Sequence, residues 1–418
     1  MHKAAMFLCL AASVTAAAAD TVTEFGGHTK MRLLGQMLPG DSILHDLAGS
    51  SALDLQADLR LNLRASRDRW SFESGYQLAL LQGDSIEYSR NLPLAPVPAF
   101  GSLPGDGRRL FDLSSDLRHD DRFAAVHRLD RLWFGYAGEK AVLRFGRQAI
   151  TWGNGMYFTP MDIVNPFDPT AIDTEYKGGD DMLYGQYLTD AGNDVQGAVV
   201  VRRDPQPGGI RARESTAAVK YHRTLPRSEF DVLLARSYGN WLGGIGGSRN
   251  VGGAVWRGDV VLTDEESGVV AQLVTNLSYS WAWHERNMSG VIEYYFDGFG
   301  QHGRAYDATA LAGNPGLLAR LARGEAFTVG RHYVAGGVVI EMTPLWQLTP
   351  NLLVNAGDRS ALLQIVSRHD VSDGCTLLAA LNVPVGPAGS EYGGIATALP
   401  GRYLSYELGV FAQLAWYF

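Results

Sequence analysis

Long hydrophobic runs are missing first of all. Outside its first twenty residues the chain has no stretch of about 18 uninterrupted apolar residues, which excludes a membrane-spanning helix. Cysteine is nearly absent too: the two are Cys9 and Cys375. Cys9 sits in a leader-like segment, and Cys375 alone forms no intrachain disulfide. A basic excess is also lacking. Thirty-six Lys and Arg stand against 44 Asp and Glu, a net charge of −8. Nucleic-acid binding wants a cationic footprint, so it is not expected. There is no G-x-S-x-G nucleophile turn and no metal-ligand spacing. His45-Asp46, His119-Asp120 and His369-Asp370 are adjacent pairs. Neighbours in a strand point to opposite faces, so adjacency makes no catalytic dyad. Neither enzymatic activity nor a cofactor is expected. No internal repeat beyond a hairpin rhythm and no domain boundary is visible.

What is present starts with an export signal. Lys3 is followed by the apolar stretch Ala4–Thr15, and Ala17-Ala18-Ala19 precede Asp20. This reads as a removable signal peptide over 1–19, leaving 20–418 as one unit. Leu8 stands where a lipoprotein signal wants a small residue, so no lipid anchor is expected. Loss of Lys3 leaves 35 basic against 44 acidic side chains, a net charge of −9.

The strongest structural signal is residues 53–66. Leu53, Leu55, Ala57, Leu59, Leu61, Leu63 and Ala65 alternate with Asp54, Gln56, Asp58, Arg60, Asn62, Arg64 and Ser66. A strand with this pattern has one greasy wall and one charged wall. Strands in soluble proteins usually run about 5–6 residues. A tilted strand of roughly 9–11 residues crosses a bilayer, and charges confined to one face fit lipid outside and water inside. The last residues repeat the pattern: Tyr406, Leu408, Val410, Ala412, Leu414, Trp416 and Phe418 are apolar at every second position. This resembles the closing strand of bacterial outer-membrane barrels, whose terminal aromatic is read by the assembly machinery. The alternative is the last strand of a secreted soluble β-protein. Forty-nine glycines and 18 tyrosines suit turns and aromatic girdles.

The fold class expected is therefore all-β, a transmembrane antiparallel β-barrel of about 18 strands, with 16 next best. The strand candidates are 25–37, 52–66, 69–82, 126–138, 141–149, 181–189, 193–203, 214–224, 228–238, 241–247, 250–263, 267–283, 287–299, 328–343, 346–357, 359–369, 374–386 and 402–418. The short, glycine-rich 241–247 is the weakest. Parity supports keeping it, because only then do the long connections 83–125, 150–180, 300–327 and 387–401 all fall at one end. Segment 314–324 reads as a short helix with Asn314 as cap, Pro315 in the first turn and Gly324 at its end. It is either a lid on its loop or a plain surface helix.

The best functional candidate is the loop 150–180. Trp152, Met156, Tyr157, Phe158, Met161, Ile163, Val164 and Phe167 need something to pack on. A loop at the mouth of a wide barrel buries them by folding back against the inner wall. It carries Asp162, Asp168, Asp173, Glu175, Asp180 and Asp181 against Lys177. Arg60, Arg64 and Arg144, with Arg147 and Lys220 as further candidates, would supply the opposite wall. Acids facing bases across a constriction set up a transverse field that selects solutes by charge and dipole. The alternative is that the acids pair with wall arginines and lock the loop in place without contacting any solute. The site residues expected are thus Arg60, Arg64, Arg144, Arg147, Asp162, Asp168, Asp173 and Glu175.

The segment Arg144 to Asp181 resembles a stretch of porin-like and alginate-export-like outer-membrane barrels of proteobacteria. The likeness in residues rests on Phe145-Gly146-Arg147-Gln148 and the run Asn165 to Thr170, NPFDPT. The resemblance implies a barrel family and fixes no substrate; with the export signal and the alternating strands, the expectation is the outer membrane of a Gram-negative bacterium and a passive channel for small hydrophilic or charged solutes. Outer-membrane lipids and lipopolysaccharide, the barrel assembly machinery and the solutes are the partners expected. The alternatives are a gated exporter of a polysaccharide or other product, a non-conducting structural barrel, and an outer-membrane hydrolase.

Overall fold

The computed structural model describes residues 21–91, 105–206, 208–303 and 306–418. The signal peptide expected over 1–19 and the prolines Pro93, Pro96, Pro98 and Pro104 lie outside them. Eighteen antiparallel strands close a barrel. They are β1 (Thr21–Met37), β2 (Ser51–Arg67), β3 (Trp70–Gly83), β4 (Phe123–Ala137), β5 (Ala141–Gln148), β6 (Asp180–Leu188), β7 (Asp194–Val200), β8 (Thr216–Leu225), β9 (Ser228–Ser237), β10 (Asn240–Val251), β11 (Ala254–Glu265), β12 (Gly268–Trp283), β13 (Arg286–Asp297), β14 (His332–Thr343), β15 (Trp346–Asn355), β16 (Ser360–Ser372), β17 (Cys375–Val385) and β18 (Leu408–Tyr417). Each pairs with its neighbours in sequence, and β18 pairs with β1 from His28↔Tyr417 to Met37↔Leu408. Closure satisfies every edge, which a spanning sheet in lipid requires. At the seam Gly27 N–H donates to Phe418 O at 2.8 Å. A Cβ on Gly27 would lie 2.1 Å from the Arg60 carbonyl oxygen, so only glycine fits this crossing.

Three short strands lie outside these eighteen: Ser114–His119 pairs with the first half of β4, beyond the end of β5, and Ile395–Ala396 pairs with Tyr403–Leu404 in a small separate ribbon. Four helices lie in the connections: α1 (His45–Ala48), α2 (Asp84–Asn91), α3 (Ala308–Ala312) and α4 (Pro315–Arg323). The helix expected at 314–324 forms as α4. The Asn314 side chain accepts from Leu317 N–H, and Gly324 ends it in the left-handed region at φ 69°. The connections around 84–122, 149–179, 298–331 and 386–407 share one end of the barrel, as the parity argument expected. Short turns make up the other.

The alternation read in 53–66 turns the barrel inside out relative to a soluble protein. Leu53 and Leu55 are about half exposed on the outer face, while Asp54, Asp58 and Arg60 are buried inside. An exposed apolar belt requires a hydrocarbon surround, and the polar groups inside pair with one another. Near the turn end the outer belt is aromatic. Trp70 stacks on Phe134 at 5.0 Å, and Trp283, Trp416 and Phe418 are exposed. Trp133 departs from that girdle. It faces the lumen, where the Arg144 guanidinium lies over its ring at 5.0 Å.

Candidate functional site

The segment 150–180 turns into the barrel because the inner wall offers it an apolar patch. Trp152, Met161, Ile163 and Val164 are buried against Met182, Tyr184, Ala198, Val200, Ala218, Leu233, Leu242 and Val261 of β6 to β11. Phe158 stacks on Tyr295 of β13 at 4.4 Å. The glycines of β10 make the room. A Cβ on Gly246 would meet Asp259 Oδ1 at 2.0 Å, and Asn154 and Met161 of the loop at 3.0 Å. The strand with the weakest sequence signal is therefore one that the loop packs closely upon.

Wall carboxylates hold the first half of the loop by its backbone. Glu293 accepts from Met156 N–H at 2.6 Å, Tyr157 N–H at 3.0 Å and Phe158 N–H at 2.8 Å. Asp259 accepts from Asn154 N–H and its amide, both at 2.7 Å. Trp152 Nε1 donates to Gln196 at 2.7 Å, Tyr157 OH to Asn351 at 2.8 Å, and Gln364 Nε2 to Thr170 O at 2.9 Å. Buried N–H groups need partners, and an ionised acceptor makes the stronger bond. These anchors reach β7, β11, β13, β15 and β16, so the loop is tied to much of the circumference.

The second half of the loop is held by charge. Lys30 Nζ lies 2.7 Å from both Asp173 and Glu175, and Arg32 lies 3.1 Å from Asp173. Tyr417 OH donates to Glu175 at 2.8 Å. Burial raises the Asp173 carboxyl, but the Lys30 hydrogen bond and the Lys30 and Arg32 charges outweigh it and pull it down to about 2. Lys177 and Asp162 pair at 2.5 Å deeper in the loop. There burial prevails, and the Asp162 carboxyl is pushed up to about 6 despite its partner.

The expected site residues fall into three groups. Asp162, Asp168, Asp173 and Glu175 all lie on the inward loop, but Asp168 turns back on its own backbone and accepts from Thr170 N–H and hydroxyl. Arg60 is buried against Asp130 at 2.7 Å, with the Tyr176 ring 4.2 Å from its guanidinium. Arg64 is exposed, 3.0 Å from Glu73, and Arg144 lies between the rings of Trp133 and Tyr184. Arg147 is fully buried and joins Asp106 at 2.7 Å to Asp181 at 2.9 Å. The acids that reach across the lumen, Asp173 and Glu175, thus meet Lys30 and Arg32, which the sequence reading had not singled out. The signal was there: His28, Lys30 and Arg32 share one face of a strand. Glu293 carried no sequence signal, because its role depends on where the loop lands.

Beside this contact lies a cavity of about 110 Å³, lined among others by His28, Lys30, Arg32, Asp58, Arg60 and Asp130. Space of this size, with charged walls, holds water or a small polar solute. Among the described residues, no group of three or more His, Cys, Asp and Glu side chains is placed to hold a metal ion.

No family model matches the chain, and no curated protein matches it in sequence. Solved structures do match in fold. A BenF-like porin from Pseudomonas fluorescens aligns over 95% of this chain and 98% of its own, with a TM-score of 0.54 at 8% identity. Pseudomonas aeruginosa OccK5 gives the same TM-score, coverage and identity. Wzi of Escherichia coli, a carbohydrate-binding β-barrel of the outer membrane involved in group 1 capsule assembly, aligns over 93% of this chain and 83% of its own, with a TM-score of 0.52 at 10% identity. In architecture the chain is a closed 18-stranded antiparallel β-barrel with the fold of these outer-membrane barrels.

Proposed function

We propose that the protein resides in the outer membrane of a Gram-negative bacterium and forms a passive channel for small hydrophilic or charged solutes, with residues 150–180 as its constriction. The observation that carries this reading is the contact of Asp173 and Glu175 with Lys30 and Arg32 inside the barrel, beside a charged cavity. Opposed charges at a narrow point discriminate solutes by charge and dipole. The lumen-facing Arg60 contributes to the same wall, Arg64 and Arg144 to the wall nearer the turn end. Asp162, Asp168 and Arg147 shape the loop and its base without facing solute. Passive diffusion needs no catalyst, and no residue is assigned a catalytic role. Membrane lipid meets the outer belt, and the alternating closing strand β18 is what the assembly machinery reads.

A second reading has one observation in its favour. The loop is tied to strands on many sides of the barrel, through Gln196, Asp259, Glu293, Gln364 and Lys30. A loop so held suits a plug that opens for an exported product. Swelling of liposomes that carry the refolded protein, in solutions of sugars and amino acids of graded size, separates the two. Swelling that falls with solute size supports the channel. No swelling with any solute contradicts it and favours the plug.

A further inference from the structure

The connection 298–331 brings α4 back across the loop end of the barrel. Arg323 lies over the Tyr238 ring at 4.0 Å, and Arg320 Nη2 reaches toward Gln272 of β12 at 3.5 Å. Between α4, the turn at Tyr238 and the loop 150–180 lies a partly open cavity of about 60 Å³. At roughly 10–15 Å³ for each water-sized group, it holds several such groups. Phe167, Tyr238, Glu265, Gln272, Asp297 and Arg320 are among its walls.

Three observations define what would fill it. First, Arg320 Nε is buried with no hydrogen-bond partner, although the guanidinium lies over the Phe299 ring at 4.3 Å. A buried donor of this kind calls for an acceptor from outside the chain. Second, the facing carboxylates are only partly used. Glu265 Oε1 accepts from the Asn240 amide at 2.7 Å, and Asp297, beside the Tyr295 and Gln272 side chains, accepts from Phe299 N–H at 3.0 Å. Adding an anion beside these two carboxylates is disfavoured by like charge. Third, Tyr238 is held at φ 50°, with Arg202 at 5.0 Å and Arg323 at 4.0 Å from its ring. A non-glycine residue fixed in that region is strained, and strain of this sort gathers at ligand sites.

A group that accepts from Arg320 and donates to Glu265 and Asp297 without adding charge is a hydroxyl. We propose that the cavity binds a neutral polyhydroxylated solute, the edge of a sugar ring. One hydroxyl accepts from Arg320 Nε, its neighbours donate to Glu265 and Asp297, and the ring's C–H face lies against Phe167. The site stands at the outer mouth and binds whether or not the barrel conducts.

Isothermal titration of the refolded full chain in detergent tests this with glucose and galactose, and with gluconate as an anion of similar size. Saturable binding of at least one hexose is expected, stronger than that of gluconate. Binding should weaken about tenfold or more in Arg320→Gln, the scale of a lost hydrogen bond to a charged group. Glu265→Gln should weaken it as well, and keeps the test open if Arg320→Gln fails to fold. Absence of saturable hexose binding, hexose binding unchanged in the folded variants, or tighter binding of gluconate would each overturn the proposal.

Discussion

Lys30 of β1 and Asp173 of the inward loop, separated by 143 positions in the chain, meet at 2.7 Å inside the barrel. The Lys30 side chain is almost wholly buried, and its ion-pair partners are two loop carboxylates. Asp173→Asn removes one of them and leaves Arg32 without its carboxylate. The expected result is a shift of reversal potential toward anions in a salt gradient. An unshifted reversal potential would place the permeation route elsewhere.

Acid should release the same contact. The Asp173 carboxyl sits at about 2, below its ordinary value of 3.8. A depressed acid contributes docking stability that is complete above the undocked value and is lost as pH falls through the docked one. The second half of the loop should therefore stay docked above about pH 4 and release between about pH 4 and pH 2. Hydrogen exchange of residues 171–177 checks this. Rising exchange in that window in the wild type, absent in Asp173→Asn, is the expected outcome.

Arg147 ties the segment around Asp106 to the start of β6 at Asp181. Arg147→Met leaves the buried Asp181 without its cation and Asp106 with Arg109 alone. Breaking a buried pair in this way costs about 3–5 kcal/mol. Urea unfolding in lipid vesicles should show a loss of that order. A loss below about 1 kcal/mol would mean that water already reaches the pair.

Glu293→Gln tests the backbone anchor. The amide turns a donor toward one of three N–H groups that the carboxylate satisfied. Bonds to a charged acceptor contribute about 1.5–3 kcal/mol. Protease should cut near residues 154–160 sooner in the variant than in the wild type. Equal protection would show that Phe158 on Tyr295 and the Trp152 cluster hold the loop unaided.

The barrel was legible because one physical rule repeats along the chain: side chains alternate, and lipid and water take opposite faces. Residues 53–66 declare it, and the eighteen strand candidates correspond one to one with β1 to β18. Even the doubtful 241–247 forms, extended to Asn240–Val251. Its glycines looked like weakness because their purpose, room for Met161 and Asn154, is tertiary. The inward course of the loop was legible from its surplus of aromatic side chains. Its partners were not. Pairing of Asp173 with Lys30 or Arg60 depends on where the loop crosses the lumen, and no local pattern encodes that. Charge alone drew attention to Arg147, yet it is fully buried in an ion-pair knot. The neutral-looking Asn154 and the isolated Glu293 proved to be anchors.

Single-channel conductance in a planar bilayer, comparing the mature protein with a variant in which 150–180 is replaced by a short turn, tests the central claim most directly. The account expects a steady conductance in the wild type and a severalfold larger, less ion-selective one in the variant. Equal conductance in both would contradict the loop as constriction, and silence in both would contradict the channel itself.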